Sequence, residues 1–315
     1  MNKPQTAHLP SSNDGAIDLY DLFRVLWAGK WLIGGITFTV AVIAVIVALI
    51  LPNIYRAEAL LAPNDREGAG GLSALAAQYG GLASLAGINL PSESVDKTAL
   101  GLEVLRSRKF ISEFIDRHDI LVPLMATEGW DSATGDLIID RDDFDTASGK
   151  WVRDVSPPKS TIPSSQEAYE TFIDLMYVNQ DKRTSFITVA VEHYSPLVAK
   201  QWVDWLIDDL NSSILRQDVD EAEKAIEYLN TQIENTPIAD LKNVFFRLIE
   251  EQTKTVMLAK VTDEYLLKTL DPAVAPELKS KPQRSIIVIL SMCLGFFLAA
   301  LVVIVLAPLR QQQAD

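Results

Sequence analysis

The residues of this sequence whose types and spacing could do chemistry are few, and most of them are acidic. Asp140, Asp142, Asp143 and Asp145 lie close together, and carboxylate oxygens are the ligands that calcium prefers. The EF-hand pattern fails, however, because it needs a glycine at its sixth position and a glutamate at its twelfth, where this sequence has Asp145 and Trp151. We therefore interpret this stretch as a solvated acidic loop.

Other kinds of reactive site also lack support in the sequence. His118 and His193 have no cysteine partner at metal-ligand spacing, and Gly149-Lys150-Trp151 lacks the leading glycine and the hydroxyl residue of a phosphate-binding loop. No nucleophile-elbow motif indicates a hydrolase. The sequence therefore predicts no catalytic residue, no cofactor, no metal and no enzymatic activity. A net charge of −14 argues against a nucleic-acid partner, because such proteins present basic patches.

Two long uncharged segments, residues 31–51 and 286–306, predict helices that cross a lipid bilayer. About 20 apolar residues at ~1.5 Å each span the ~30 Å hydrocarbon core. The competing interpretations are a buried core helix and, for the first segment, a cleaved signal peptide, but both segments are longer than those usually are. The chain between them carries essentially all of the net charge of −14, and the single cysteine, Cys293, lies inside the second segment.

The predicted fold class is a membrane protein in which two transmembrane helices flank an α+β periplasmic domain with a long protruding helix. Arg24 and Lys30 precede the first span and favour a cytoplasmic N-terminus, although basic residues before the second span favour the opposite orientation locally. We expect no domain after the second span. The predicted divisions are a cytoplasmic segment with an amphipathic helix (1–30), a transmembrane helix (31–51), a periplasmic α/β base plus long-helix domain (52–284), a second transmembrane helix (285–307) and a short cytoplasmic tail (308–315).

Between the spans, apolar residues alternate in some stretches and follow the helical period in others. These patterns predict strands at 54–61, 185–193 and 264–268, helices at 98–117 and 166–178, and a long loop at 118–165. A segment rich in glycine and alanine, 68–90, is either a flexible linker or a packing segment near the membrane.

The longest predicted element begins at Ser195-Pro196, an N-cap followed by a proline in the first turn, and runs for about 40 residues to Thr236-Pro237. Its apolar stripe consists of Val203, Ile207, Leu210, Ile214, Ile226, Leu229 and Ile233. A second helical stripe continues to about residue 259. The two helices form either a hairpin or a kinked rod.

Both spans also contain small residues, which let helices approach closely in lipid. They are Gly34 and Gly35 in the first span and Ser291, Gly295 and Ala299 in the second. We expect helix–helix contact on these faces, and weaker oligomers when Gly295 is replaced by leucine.

Several stretches resemble the chain-length determinant (Wzz-type) family of polysaccharide co-polymerases, in the form without a kinase domain. Before and just after the first span these are IDLYDLFRVLWAGKWLI, IYRAEALLAP and GGLASLAGINL. Further along they are LRSRKFISEFI, SFITVAVEHYSPLVAKQW and the exit DPAVAPELKSKPQRS. The exit is the most specific of these, and its motif residues are Pro272, Pro276, Pro282 and Arg284.

This resemblance implies a regulator of the chain length of an O-antigen-type surface polysaccharide in the bacterial inner membrane. It implies a homo-oligomeric ring, with an integral-membrane polymerase as a partner and the growing polysaccharide as a further candidate. The alternative is a membrane activator subunit of a separate cytoplasmic tyrosine kinase in capsule or exopolysaccharide export. A more distant one is a ligand-sensing receptor. A change in the long-helix stripe, such as Leu210→Asp, is predicted to alter polymer length before it abolishes polymer.

Overall fold

The computed structural model describes residues 26–64 and 97–311, with side chains to residue 305. The described helices are α1 Lys30–Ile50, α2 Lys97–Arg106, α3 Arg108–Arg117, α4 Leu121–Met125, α5 Ser165–Leu175, α6 Pro196–Asn235, α7 Ala239–Ala259 and α8 Arg284–Gln311. The strands are β1 Tyr55–Pro63, β2 Thr127–Trp130, β3 Leu137–Ile139, β4 Phe144–Asp145, β5 Lys150–Trp151, β6 Met176–Gln180, β7 Ile187–His193 and β8 Leu267–Asp271.

The chain divides into two compact units. One contains α1 and α8, and the other is the α+β domain Pro52–Ser280. Both α1 and α8 are long and apolar enough to cross a membrane, so the predicted fold class is confirmed: two apolar helices flank, in sequence, an α+β domain with a long helix. The predicted segment 68–90, and all but the end of the predicted amphipathic helix before α1, lie outside the described residues.

The α+β domain is organised around an antiparallel sheet with the strand order β6-β7-β1-β8. Alternate residues of β1 and β7 face the core, as the alternating sequence predicts: Ala57 lies opposite Val191, and both are buried. The first half of α6 packs on this face of the sheet, together with α3 and α5. Phe114, Phe172 and Trp202 are the largest fully buried side chains of this core.

The predicted helix at 98–117 is wrong in one respect, because the structure has two helices separated at Ser107. The Ser107 hydroxyl accepts a hydrogen bond from the backbone N–H of Phe110 at 3.2 Å, which starts α3 as an N-cap. The predicted helix at 166–178 is also too long. It ends at Leu175, since from Met176 onward the backbone pairs with β7 as strand β6.

The loop predicted at 118–165 is wrong as well, because it contains α4 and two short hairpins, β2–β3 and β4–β5. Its aspartates shape the turns: Asp140 Oδ1 accepts from Asp142 N at 2.8 Å, and Asp145 Oδ1 accepts from Ala147 N at 3.0 Å. The strand predicted at 264–268 lies three residues later, at Leu267–Asp271, where it pairs with β1.

Candidate functional site: the two-helix arm and its attachment

The long helix α6 begins where the sequence predicts. Ser195 is its N-cap, with the hydroxyl accepting from Val198 N at 3.5 Å, and Pro196 occupies the first turn. The helix contains 40 residues, which at ~1.5 Å per residue gives a length of about 60 Å. The predicted start and the predicted end at Thr236-Pro237 are both confirmed.

The apolar stripe of α6 lies in two different environments. Val203, Ile207, Leu210 and Ile214 are buried in the main core. Beyond Ile214, Ala222 is the one buried residue among those described on this helix. Ile226, Leu229 and Ile233 are half-buried.

The second half of α6 is covered by α7 instead of the sheet. Three residues, 236–238, connect the helices, and α7 then packs back along α6. The two helices therefore form a hairpin, which decides between the two predicted arrangements. We call residues 215–259 the two-helix arm. On the α7 side of the arm, Phe245 and Leu248 are half-buried.

Asn211 joins the long helix to the strand that returns from the arm. Its Oδ1 accepts from the backbone N–H groups of Leu266 and Leu267 at 2.8 and 2.9 Å, and its Nδ2 donates to Leu267 O at 3.1 Å. The Asn211 side chain is buried and cannot bind water freely. These three bonds satisfy one N–H of its Nδ2 and both lone pairs of its Oδ1. Asn211 thereby holds the start of β8 against α6 at the foot of the arm.

Asp209, one residue earlier, ties α6 to the end of α3. Its Oδ2 accepts from Arg117 Nη1 at 2.8 Å and lies 3.0 Å from His118 Nε2. The His118 ring is stacked on Trp205 with 4.2 Å between ring centroids. Asp209 is buried, and a buried carboxylate loses its hydration. The charge-assisted bonds to the end of α3 offset this desolvation cost.

Asp218 marks the point where α6 leaves the base. Its Oδ2 accepts from Tyr265 Oη at 2.8 Å and from Lys97 Nζ at 3.0 Å. These contacts join the start of the arm to α2 and to the segment before β8. Nearby, partial burial and the charges of Asp204, Asp209 and Glu264 raise the pKa of Asp208 above its usual value.

His193, at the end of β7, supports the start of α6 as a neutral residue. Its Nδ1 accepts from Ser195 N at 3.0 Å, and its Nε2 lies 3.2 Å from Pro123 O. Burial lowers the pKa of His193 to about 4, since the charged imidazolium would lose its hydration. The histidine is thus fixed in the core, and no metal-holding cluster of His, Cys, Asp or Glu occurs among the residues that the structure describes.

The predicted small residues of the spans occupy different surroundings. Ala299 is fully buried, Ser291 is half-buried, and a Cβ placed on Gly295 would lie 3.1 Å from Val40 Cβ of the same chain. By contrast, a Cβ on Gly34 or Gly35 would meet no atom within 4 Å. The Gly295 face is therefore occupied by α1, whereas Gly34 and Gly35 face open space.

The family comparison adds one deciding observation. The sequence model of the Wzz family, described as "Chain length determinant protein", matches residues 15–118, which include the first span and β1. Over this range the chain is similar to the Wzz-type chain-length determinant family, as the sequence resemblance predicts. Among curated proteins, nothing matches the chain.

Two solved structures are similar to this chain. One is described as "full-length bacterial polysaccharide co-polymerase", with 14% identity, a TM-score of 0.39 and coverage of 95% of this chain and 100% of that one. The other is a fragment of WzzB, a polysaccharide co-polymerase from Salmonella Typhimurium, with 14% identity, a TM-score of 0.26 and coverage of 73% of this chain and 100% of that one. Both TM-scores lie below 0.5, so neither likeness supports an argument about this chain.

The predicted exit motif lies in the irregular segment that leads into α8. Pro272 is exposed, whereas Pro276 and Pro282 are half-buried, and no helix or strand forms from 272 to the start of α8. Arg284 opens α8, and its Nε donates to Ala48 O at 2.8 Å. Since Ala48 lies in the last turn of α1, this bond satisfies a carbonyl that has no partner within its own helix.

Sequence reasoning missed the polar residues that attach the arm: Asn211, Asp209, Asp218 and His118. In the sequence, Asn211 and Asp209 sit in the polar run DDLNSS and look like surface residues. The one available signal was their position: Asp209 and Asn211 flank the stripe residue Leu210 and so lie close to the apolar face of the helix.

Proposed function

We propose that this protein regulates the chain length of an O-antigen-type surface polysaccharide, as an oligomeric scaffold that acts beside an integral-membrane polymerase. One observation carries the proposal: a two-helix arm projects from an α+β base and is attached to it by Asn211, Asp209 and Asp218. An arm of fixed length suits a protein that sets the length of another molecule. The match of residues 15–118 to the chain-length determinant family supports the same role.

In this proposal the domain between the spans faces the periplasm of the inner membrane, and both ends of the chain face the cytoplasm. Copies of the chain stand side by side in a ring, and the growing polysaccharide passes along their arms. Labelling tests the orientation. In a background with Cys293→Ala, a Ser165→Cys variant should react with an impermeant thiol reagent added to cells with permeabilised outer membranes. If it reacts only after the inner membrane is broken, the orientation is wrong.

Deletion of the gene tests the role itself. Cells that lack the protein should still make polysaccharide but lose its preferred length, so that a gel of the surface polymer shows a smoothly decaying ladder. Return of the wild-type gene should restore the preferred length. Complete loss of polymer would contradict the scaffold role and favour the activator of a separate tyrosine kinase, and an unchanged ladder would contradict both.

A further inference from the structure

A groove runs between α1 and α8 within the pair of spanning helices. It has a volume of about 600 Å³ and is lined mainly by apolar side chains. Gly34, Thr37 and Ala41 line it from α1, and Met292 and Phe296 line it from α8. The three α1 residues are spaced three and four apart, so they share one helix face.

The small size of these α1 residues explains why the groove is open. A Cβ on Gly34 would meet no atom of the chain within 4 Å, so the space beside this glycine belongs to whatever surrounds the protein. In a bilayer that space is filled by hydrocarbon, because an empty volume would cost its lining residues their dispersion contacts. The lining is suited to an aliphatic chain.

A positive charge stands at one end of the groove. Lys30 also lines it, at the first residue of α1, and its Nζ lies 4.9 Å from the centre of the Trp27 ring. Within the described residues no carboxylate forms an ion pair with Lys30. Lysine and tryptophan at the end of a spanning helix lie at the level of the lipid headgroups, where the ammonium attracts phosphate.

We propose that this groove binds one acyl chain of an anionic phospholipid, with the headgroup phosphate of that lipid on Lys30. The site is a binding site for a bilayer lipid, at the leaflet where α1 begins, and it does not depend on the role in polysaccharide synthesis. A helix of a second copy fits less well. Phe38 and Phe296, one from each helix, are both well exposed and line the groove, which leaves little room for a cylinder about 10 Å across.

The test uses the full-length protein, reconstituted in nanodiscs of phosphatidylglycerol mixed with phosphatidylcholine and then transferred to mild detergent. Native mass spectrometry counts the phosphatidylglycerol molecules that stay bound. The wild type should retain this lipid, and Gly34→Leu should lose about nine-tenths of it, because leucine fills the groove. The matched control is Gly35→Leu, which adds the same side chain one residue further along without facing this groove, and it should retain lipid like the wild type.

Variants of Lys30 test the headgroup. Lys30→Gln should lower the preference for phosphatidylglycerol over phosphatidylcholine about five-fold, the usual effect of one basic residue at an anionic surface, while Lys30→Arg should keep it. The proposal is overturned if Gly34→Leu retains as much lipid as the wild type, or if Gly35→Leu loses as much as Gly34→Leu. It is also overturned if the two lipids are retained equally, or if Ala41→Cys in a Cys293→Ala background forms disulfides between copies in the bilayer.

Discussion

The two halves of α6 belong to one continuous helix but lie in different surroundings. Residues 196–214 pack on the sheet, with Trp202 and Leu210 each 1% exposed. The second half, residues 215–235, leaves the sheet and packs against α7, and Tyr228 there is 65% exposed. The first half therefore contributes most to the stability of the domain, and the second half contributes most to its shape. One helix can contribute to both stability and shape, because its backbone hydrogen bonds form within the helix whether or not other elements pack on it.

The polar contacts are distributed in the same way. Asn211 and Asp209 are buried and bind other elements, and Asp218 stands at the boundary. Further along α6, the side-chain hydrogen bonds found in the described residues stay within the helix, as from Thr231 Oγ1 to Glu227 O at 3.1 Å. Substitutions in the arm should therefore leave the base intact, whereas substitutions in the base should also disturb the arm.

The largest contrast should come from matched truncations in the two halves. Leu210→Ala should lower the free energy of unfolding by about 3–4 kcal/mol, because it leaves a cavity in the core, while Leu229→Ala should lower it by about 1 kcal/mol or less. Chemical denaturation of the full-length variants in detergent measures both. Equal losses would show that the arm and base form one core.

The position of Leu210 also corrects an expectation drawn from the sequence. Leu210→Asp was predicted to change polymer length before abolishing polymer. Since Leu210 is buried, a carboxylate there is expected to unfold the domain and remove the protein altogether. Leu229→Asp, in the half-buried part of the stripe, is the change that should act on length alone.

Replacement of Asn211 tests whether one side chain attaches the arm. Asn211→Leu leaves two buried N–H groups and one carbonyl without their partner, at a cost of about 3 kcal/mol. Asn211→Asp keeps the acceptor for both N–H groups and should lose less. Thermal unfolding ranks the two variants, and amide hydrogen exchange at residues 266–267 should rise in Asn211→Leu. Unchanged exchange there would mean that other contacts hold β8.

Acid should weaken the base through His193. Because its pKa is about 4 in the folded protein and about 6.5 when unfolded, the unfolded state takes up a proton first as the pH falls. Stability is therefore full above pH 6.5 and declines toward pH 4, by about 2 kcal/mol between pH 7 and pH 5. His193→Asn should show a shallower decline over this range in denaturant titrations. An identical pH dependence in the variant would assign the effect to other groups.

The smallest effect is expected at the boundary between the two halves. Tyr265→Phe removes the hydroxyl that donates to Asp218 Oδ2 at 2.8 Å, and it should cost about 1 kcal/mol. Tyr169→Phe is a suitable control, since the Tyr169 hydroxyl donates to Arg106 O at 3.1 Å, away from the arm. Double-mutant analysis with Leu229→Ala should give additive losses. If the two losses in the free energy of unfolding are strongly non-additive, the arm and the base are not energetically independent.

Local signals predicted the spans, the start of α6 at Ser195-Pro196 and the strands β1 and β7, because each depends on neighbours in sequence. Elements set by distant partners were missed. Strand β6 was interpreted as the end of a helix, since its pairing with β7 is not visible in the residues of β6 themselves. The position of Asn211 beside Leu210 places it close to the apolar face, but its partners Leu266 and Leu267 are 55 and 56 positions away, so no local pattern could have identified them.

The most direct test of the account is a shorter arm on an unchanged base. Deletion of one seven-residue repeat from each helix, residues 224–230 and 244–250, keeps the period of both stripes and shortens the arm by about 10 Å. Lys224→Ala with Glu250→Ala is the full-length control. Gels of surface polysaccharide should show a shifted but still preferred length for the shortened protein, and the wild-type length for the control. A preferred length that stays at the wild-type value, with the shortened protein present at normal amounts, would contradict the claim that the arm sets the length.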